Sequence, residues 1–543
     1  MCRHPAGFYT AAIVAKVFRK LVILSHRYLG LAFSLLVMMW FASGIVLMYT
    51  GGLPRVTPEE RLERLANLEL SRVRLTAAEA ADVAASAQAP GRRGGDPRVQ
   101  LLTVLDRPAY RIGATTVFAD TGDVMPTLTA WQARAITARF LDVPESRVQH
   151  LGEVATVDQW TLGQTRNLPL QKFAVDDGRG TEIYVQPRTG EIAMRTTRSS
   201  RALAWVGVIP HWLYFSALRT NQPLWYQVVV WTSAAACLVT VLGLVLGVTQ
   251  YRRTKPFTLA KAIPYAGWMR WHYITGVVFG LFTLTWAFSG LLSMEPFEWT
   301  NAVGLEPSRD VFTGGQVELS RFPAMDATRW RAILEGRGIK EVEFARIQNE
   351  PYFVVRQAPL VDVEHTRAER LHQPYGVTGR ADTNRVLVSA TTLEPRRARF
   401  DTTNILTRLK QEFPDVPIVV ADLLTDYDSY YYSRGRQTPL PVLRVKFGDP
   451  AETWMYIDPE MSQLVATLPK LARVERWLYN GLHSLDFSFW YNSRPLWDIG
   501  MITLLLGGFC SSGIGLYLGL KRMRRAAARA AAPVREPVEA TSH

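Results

Sequence analysis

The sequence predicts an α-helical membrane protein with α+β external domains, its four transmembrane helices built as two parallel tandem repeats. Three observations carry this reading. Four uncharged stretches are each long enough to cross a bilayer. The basic excess falls on one side of those stretches. Two sets of uncommon residues recur at fixed offsets.

The uncharged stretches lie between Arg27 and Arg55, Arg219 and Arg252, Arg270 and Glu295, and Asp498 and Lys521. A spanning helix needs about 20 predominantly apolar residues, so the spans read as 21–49, 224–249, 268–293 and 498–520. The first is too long for a signal-peptide core, and no small-residue cleavage site follows it. A buried helix of a soluble protein explains one such run but not four. With 48% hydrophobic and only 20% charged residues in 543, the chain is neither disordered nor a coiled-coil rod. Its three cysteines, Cys2, Cys237 and Cys510, make neither a disulfide framework nor a Cys-rich zinc site.

Charge sets the orientation. The N-terminus 1–20, the loop 250–267 with Arg270 beyond it, and the tail 521–543 together hold fifteen basic residues against Glu536 and Glu539. With Arg27 they account for the whole formal excess of +14. This is the positive-inside pattern, which makes both termini cytoplasmic. A nucleic-acid binder carries its basic excess on a folded domain, so nucleic acid is excluded as a partner.

The repeat is read from residues that apolar helices do not share by chance. His26, Gly30, Trp40, Ser43-Gly44 and Met48 recur as His272, Gly276, Trp286, Ser289-Gly290 and Met294, all at an offset of 246. A second match runs at an offset of 272. It pairs Leu168-Pro169, Thr181, Tyr184, Arg201, Trp205 and His211 with Leu440-Pro441, Thr453, Tyr456, Arg473, Trp477 and His483. It continues from Pro223-Leu224-Trp225, Gly243 and Gly247 to Pro495-Leu496-Trp497, Gly515 and Gly519. The difference between the offsets predicts an insertion near 358–384. Each half is helix out, external domain, approach segment, helix back. The halves run the same way, so their pseudo-twofold axis lies along the membrane normal.

The external segments 50–200 and 294–472 read as small α+β domains. Helical text (Thr57–Leu68, Thr129–Leu141, Ala327–Glu335) mixes with strand text. The strands expected are Val99–Leu105, Ala109–Ile112, Glu182–Gln186, Tyr352–Gln357, Arg385–Ser389, Val442–Lys446 and Trp454–Asp458. Ala89–Asp96 reads as a flexible loop, and no Gly-rich nucleotide fingerprint sits in a strand–turn–helix context. Approach segments 201–223 and 473–497 lead back to the membrane.

Four of the nine histidines, His26, His272, His211 and His483, are paired by the repeat and lie in or beside the membrane. An ionisable side chain there is costly and marks function by default. His26 and His272 lie in the cytoplasmic part of the outward helices. His211 and His483 each precede the Pro-Leu-Trp entry of an inward helix by twelve residues. The axis therefore sets His26 opposite His272 near the inside and His211 opposite His483 near the outside. Two facing imidazoles form an axial cage for a haem iron, which predicts two b-type haems with these four histidines as ligands. Gly30 and Gly276 are the expected room for the macrocycle. Zinc has no further ligands here, the spans hold no acid for a proton relay, and no Cys-x-x-Cys-His motif attaches a haem covalently. Met48 and Met294 are too far along their helices to be ligands and read as packing. Tyr427–Tyr432, beside Arg434 and Arg436, reads first as aromatic packing, with contact to an anionic or aromatic chelate as the alternative.

The run His26-Arg-Tyr-Leu-Gly30 with Trp40 and Ser43-Gly44, and Gly481-Leu-His-Ser484 followed by Arg494-Pro-Leu-Trp497, resembles the PepSY-associated transmembrane family. Glu182–Gly190 and Trp454–Pro459 resemble the strand-turn end of PepSY domains, although Glu460-Met-Ser462 replaces Arg188-Thr-Gly190 in the second. The resemblance implies a bacterial inner-membrane protein whose external domains are periplasmic and PepSY-like. Characterised relatives include di-haem reductases of ferric siderophores, which implies a haem-dependent transmembrane reductase in iron uptake. Its acceptor is then a periplasmic ferric siderophore or other ferric chelate. The donor is a quinol or a protein, since no flavin or nicotinamide domain is present. The alternative is a non-enzymatic, membrane-anchored PepSY binding or regulatory protein, or a transporter accessory.

Overall fold

The computed structural model describes residues 6–87, 98–252, 258–299, 304–334, 338–357, 385–432 and 438–530. The expected loop 89–96, the insertion 358–384, Arg434, Arg436 and the end of the tail lie outside the described residues.

Four long helices form the membrane part: Ala6–Thr50, Gln222–Thr249, Gly267–Leu292 and Leu496–Ala530. All four are long and apolar enough to cross a bilayer, and large apolar side chains such as Leu35, Trp231, Val248 and Leu281 are exposed on them. A helix that is apolar all round satisfies its own backbone, which lipid demands. The first and last helices run well beyond the expected 21–49 and 498–520. Their extensions are rich in Ala, Lys and Arg, which propagate a helix outside the apolar core. Each long helix packs against two others, first on second, second on third, third on fourth and fourth on first. The first and third therefore face each other across the bundle.

Outside the long helices lie fourteen described strands. In the first segment they are β1 (Val99–Val104), β2 (Arg107–Ile112), β3 (Thr115–Phe118), β4 (Val148–Val154), β5 (Leu170–Val175), β6 (Thr181–Gln186) and β7 (Glu191–Thr196). In the second they are β8 (Ile339–Ile347), β9 (Glu350–Gln357), β10 (Arg385–Ser389), β11 (Ile418–Leu424), β12 (Val442–Phe447), β13 (Trp454–Asp458) and β14 (Gln463–Leu468). Each segment keeps one antiparallel four-stranded sheet of its own, β4-β5-β6-β7 and β11-β12-β13-β14.

The third sheet is shared. Its order is β10-β9-β8-β1-β2-β3, and the two segments join where β1 pairs antiparallel with β8, Val99 opposite Phe344 and Leu101 opposite Val342. One apolar core crosses that seam, with Leu101, Tyr110 and Val117 from one segment against Trp330, Phe344 and Phe353 from the other. Glu341 is buried on β8 and takes hydrogen bonds from Arg61, Gln100 and Arg356. A buried carboxylate persists only with such partners. Helices beside the sheets start where the sequence caps them: Thr76 and Glu79 form a capping box, as do Thr129 and Gln132.

The approach segments are broken helices. Arg198–Val206 and Val208–Trp212 lead to the second long helix, and Lys470–Arg476, a π turn at Trp477–Gly481 and Leu482–Ser484 lead to the fourth. Both turn back at a non-glycine residue in the left-handed region, Leu213 (φ 52°) and Leu485 (φ 48°), two residues past His211 and His483 respectively. That conformation costs roughly 1–2 kcal/mol for an L-residue, so packing around each histidine holds it there.

Candidate functional site

The bundle brings the four paired histidines together two by two. His26 on the first helix meets His272 on the third with ring centroids 6.2 Å apart and planes inclined at 30°. His211 and His483, on the broken approach helices, meet with centroids 6.1 Å apart and planes at 82°. The pair His211 and His483, expected on the outer side, is held by Ser43 and Ser289, each seventeen residues beyond His26 or His272 on its helix, the pair expected on the inner side. At 1.5 Å per residue the two levels are about 25 Å apart along the helix.

Every one of the four rings is fixed through Nδ1. His26 Nδ1 lies 3.0 Å from the Val239 carbonyl oxygen, and His272 Nδ1 lies 3.1 Å from that of Ser511. A carbonyl oxygen only accepts, so Nδ1 carries the proton and donates. His211 Nδ1 lies 3.0 Å from Ser43 Oγ, and His483 Nδ1 lies 2.9 Å from Ser289 Oγ. Ser43 gives its own hydroxyl proton to the Met39 carbonyl and Ser289 to that of Trp286. Both serines are therefore acceptors toward histidine. In all four rings the lone pair is left on Nε2, the arrangement that orients a metal-ligating imidazole.

The glycines that make room are in the inward helices. A Cβ on Gly243 would lie 2.8 Å from His26 Cε1, and one on Gly515 would lie 3.0 Å from His272 Cε1. Each inner imidazole thus lies against bare backbone. A Cβ on Gly30 would lie 3.9 Å from a Val239 methyl and one on Gly276 3.8 Å from Ser511 Oγ, both ordinary contact distances. Met48 is buried with Phe41, Trp286, Trp497 and Met501 in an apolar cluster between the helices.

These distances can be set against a haem iron. A metal–imidazole bond is about 2.0 Å, and the ring centre lies roughly 1.1 Å further on, so two imidazoles on one iron hold their centroids about 6 Å apart. Both pairs meet this spacing with their Nε2 lone pairs free, so the residues fit bis-imidazole haem ligation. Among the described residues no group of three or more His, Cys, Asp or Glu gathers to hold another metal.

The Tyr427–Tyr432 segment forms a turn packed on the second four-stranded sheet. Tyr431 is buried and stacks on Tyr456 at 4.9 Å, Tyr430 meets Trp454 and Trp477, and Tyr432 donates to Asp486. Sequence reasoning found the four histidines but not their acceptors. Ser43 and Ser289, and Gly243 and Gly515, stand at the same sequence offsets as the histidines, so a signal was present. Val239 and Ser511 act through backbone carbonyls, which no side-chain pattern displays.

No curated protein matches the chain. A family model described as the PepSY-associated TM region matches residues 24–329. That span takes in more than half of the first long helix, the second and third whole, and the segment between the first two with its strands β1 to β7 and His211. It covers more than half of the chain, and the protein therefore belongs to the PepSY-associated transmembrane family.

Proposed function

We propose that the protein is a b-type di-haem oxidoreductase of the bacterial inner membrane, passing electrons from the cytoplasmic or quinol side to a periplasmic ferric chelate such as a ferric siderophore. The observation that carries this reading is the pair of facing histidine pairs, 6.2 and 6.1 Å between centroids, at two levels of one bundle. Haem at each level would supply one-electron chemistry, with His26 and His272 as inner ligands and His211 and His483 as outer ligands.

The protein's own groups do the rest. Val239, Ser511, Ser43 and Ser289 fix ring orientation and keep each Nε2 a free donor. The helices partly bury all four rings. The hydrocarbon core of about 30 Å is too thick for one electron step between aqueous partners, and two levels divide it. A cleft of about 460 Å³ between the third and fourth helices, lined by Trp268, Trp271, Thr275 and Cys510 among others, would offer a membrane-borne donor a place to approach. Reduction lowers the charge that hard oxygen donors of a chelate hold, so the iron is released.

The two halves are read as parallel repeats about an axis along the membrane normal, with the basic loops cytoplasmic and both sheet-bearing segments periplasmic. Reporter fusions at about residues 90 and 375 should then be exported, and fusions at about 258 and 540 retained. For the activity, oriented membrane vesicles carrying a ferric chelate on the external face should form ferrous iron when the cytoplasmic side is supplied with reductant. Undiminished reduction in the His211→Ala/His483→Ala double variant would remove the outer pair as the exit station.

A further inference from the structure

The two approach segments differ in what precedes the histidine. Four and eight residues before His211 stand Gly207 and Leu203; before His483 stand Tyr479 and Glu475. Residues spaced by four lie on neighbouring turns of one helix face. The Tyr479 ring stacks on the His483 ring, centroids 5.2 Å apart and planes at 25°. The π turn Trp477–Gly481 lies between Glu475 and His483, a feature common at functional sites.

Glu475 is 3% exposed, and its Oε1 is buried with no hydrogen-bond partner among the described residues. The basic residues on its own helix are committed elsewhere. Arg473 donates to the carbonyls of Glu452 and Leu468, Arg476 to those of Ser429 and Asp486, and Lys470 to the Glu452 carboxylate. The charged group that acts on Glu475 from outside is another carboxylate, Glu295, just past the end of the third helix. An unpaired buried carboxylate costs several kcal/mol unless it is neutralised. Burial first, and the charge of Glu295 second, push this carboxyl up to about 7.

We propose that Glu475 is the proton acceptor coupled to the outer site, taking up one proton for each electron that site receives. The inference rests on the electron-transfer reading. An electron from the inner level adds one negative charge at the outer level. A proton from external water adds to a Glu475 carboxylate oxygen, forming its O–H bond, so the net charge of the buried region is unchanged. When the electron passes to the acceptor, the carboxyl returns the proton to water. The only bonds exchanged are an O–H of hydronium, which breaks, and the O–H of the carboxyl, which forms. In a low-dielectric interior such compensation removes most of the cost of charging the site. The half that carries Leu203 and Gly207 has no counterpart, which makes the second half the proton-exchanging one.

The test is a potentiometric titration of the purified haem protein, followed by its visible spectrum from about pH 5.5 to 9. One proton per electron is a tenfold change per pH unit, so the outer potential should be level below about pH 7, where the carboxyl already holds its proton, and fall by about 59 mV per unit above it. In Glu475→Gln that slope should vanish, while Glu475→Asp retains it and the inner potential keeps its own pH profile in both. A redox-difference infrared spectrum of the unaltered protein should show a carboxylic C=O band on reduction. That band reads the proton directly even where a variant fails to fold. A flat outer potential in the unaltered protein, an unchanged slope in Glu475→Gln, or no carboxylic band overturns the inference. A protein without haem would instead overturn the functional reading, and this inference with it.

Discussion

His26 and His272 are 246 residues apart in the chain, yet their rings face each other at 6.2 Å and each Nδ1 is tied to a main-chain carbonyl of an inward helix. The relationship links all four long helices. The first and third supply the rings, and the second and fourth supply the acceptors.

Single alanine substitutions should therefore behave as pairs. His26→Ala and His272→Ala should each remove the inner haem signal and spare the outer. His211→Ala and His483→Ala should do the reverse. Loss of the same signal in His26→Ala and His211→Ala would mean ligation within a half and would contradict the facing geometry.

Ring clearance gives a second prediction. At Gly243 and Gly515 an added Cβ comes within 2.8 and 3.0 Å of a histidine Cε1, whereas at Gly290 nothing lies within 4 Å. Gly243→Ala and Gly515→Ala should push the inner imidazoles aside and shift or weaken the inner signal. Gly290→Ala should leave both spectra as they were. Equal effects at all three positions, read by absorption and electron paramagnetic resonance, would show that clearance is not what these glycines provide.

The serine acceptors give a third. Ser43→Ala and Ser289→Ala remove the groups that orient His211 and His483. Loss of such a supporting hydrogen bond typically costs about 10–100-fold in metal affinity. Haem titration of apoprotein should show that loss at the outer site alone, and threonine replacements should recover most of it. An unchanged outer affinity in Ser43→Ala and Ser289→Ala would contradict a supporting role.

Much of this was legible in the sequence because lipid simplifies the code. Four uncharged runs fix four helices, since only a helix or closed barrel satisfies its backbone in a bilayer. His26, His272, His211 and His483 stood out because a histidine there is rare and recurred at a fixed spacing. The strand text at 99–105, 352–357 and 454–458 was also readable from its β-branched and aromatic content. What was hidden depends on long-range pairing. The joint of β1 with β8 brings residues near 100 beside residues near 342. Neither strand's own pattern names its partner. The exposed edge strands β4 and β11, with charged or small residues between apolar ones, carry little signal. The left-handed Leu213 and Leu485 use a residue type that does not announce a turn.

The shared sheet makes a prediction about stability. Burial pulls the Glu341 carboxyl up, but Arg61 and Arg356 pull harder and hold it below the ordinary glutamate value. Its contribution is therefore fully present above about pH 4.3, the unfolded glutamate value, and is lost as pH falls through the lower folded value. Glu341→Ala takes their shared acceptor from Arg61 and Gln100, leaves Arg356 to Glu343, and should cost about 3–5 kcal/mol. Both external segments should then lose protection from proteolysis together. Loss confined to one segment would mean that the seam is not cooperative.

The central claim is that each facing histidine pair holds a haem. The most direct measurement is the visible spectrum of the purified protein, oxidised and reduced, with haem counted against protein. The account predicts two haems per chain, non-covalently bound and extractable, with the spectrum of iron held by two imidazoles. A protein that purifies colourless from haem-replete cells and gains no such spectrum on haem addition would contradict it and leave a non-enzymatic, membrane-anchored binding role as the reading to pursue.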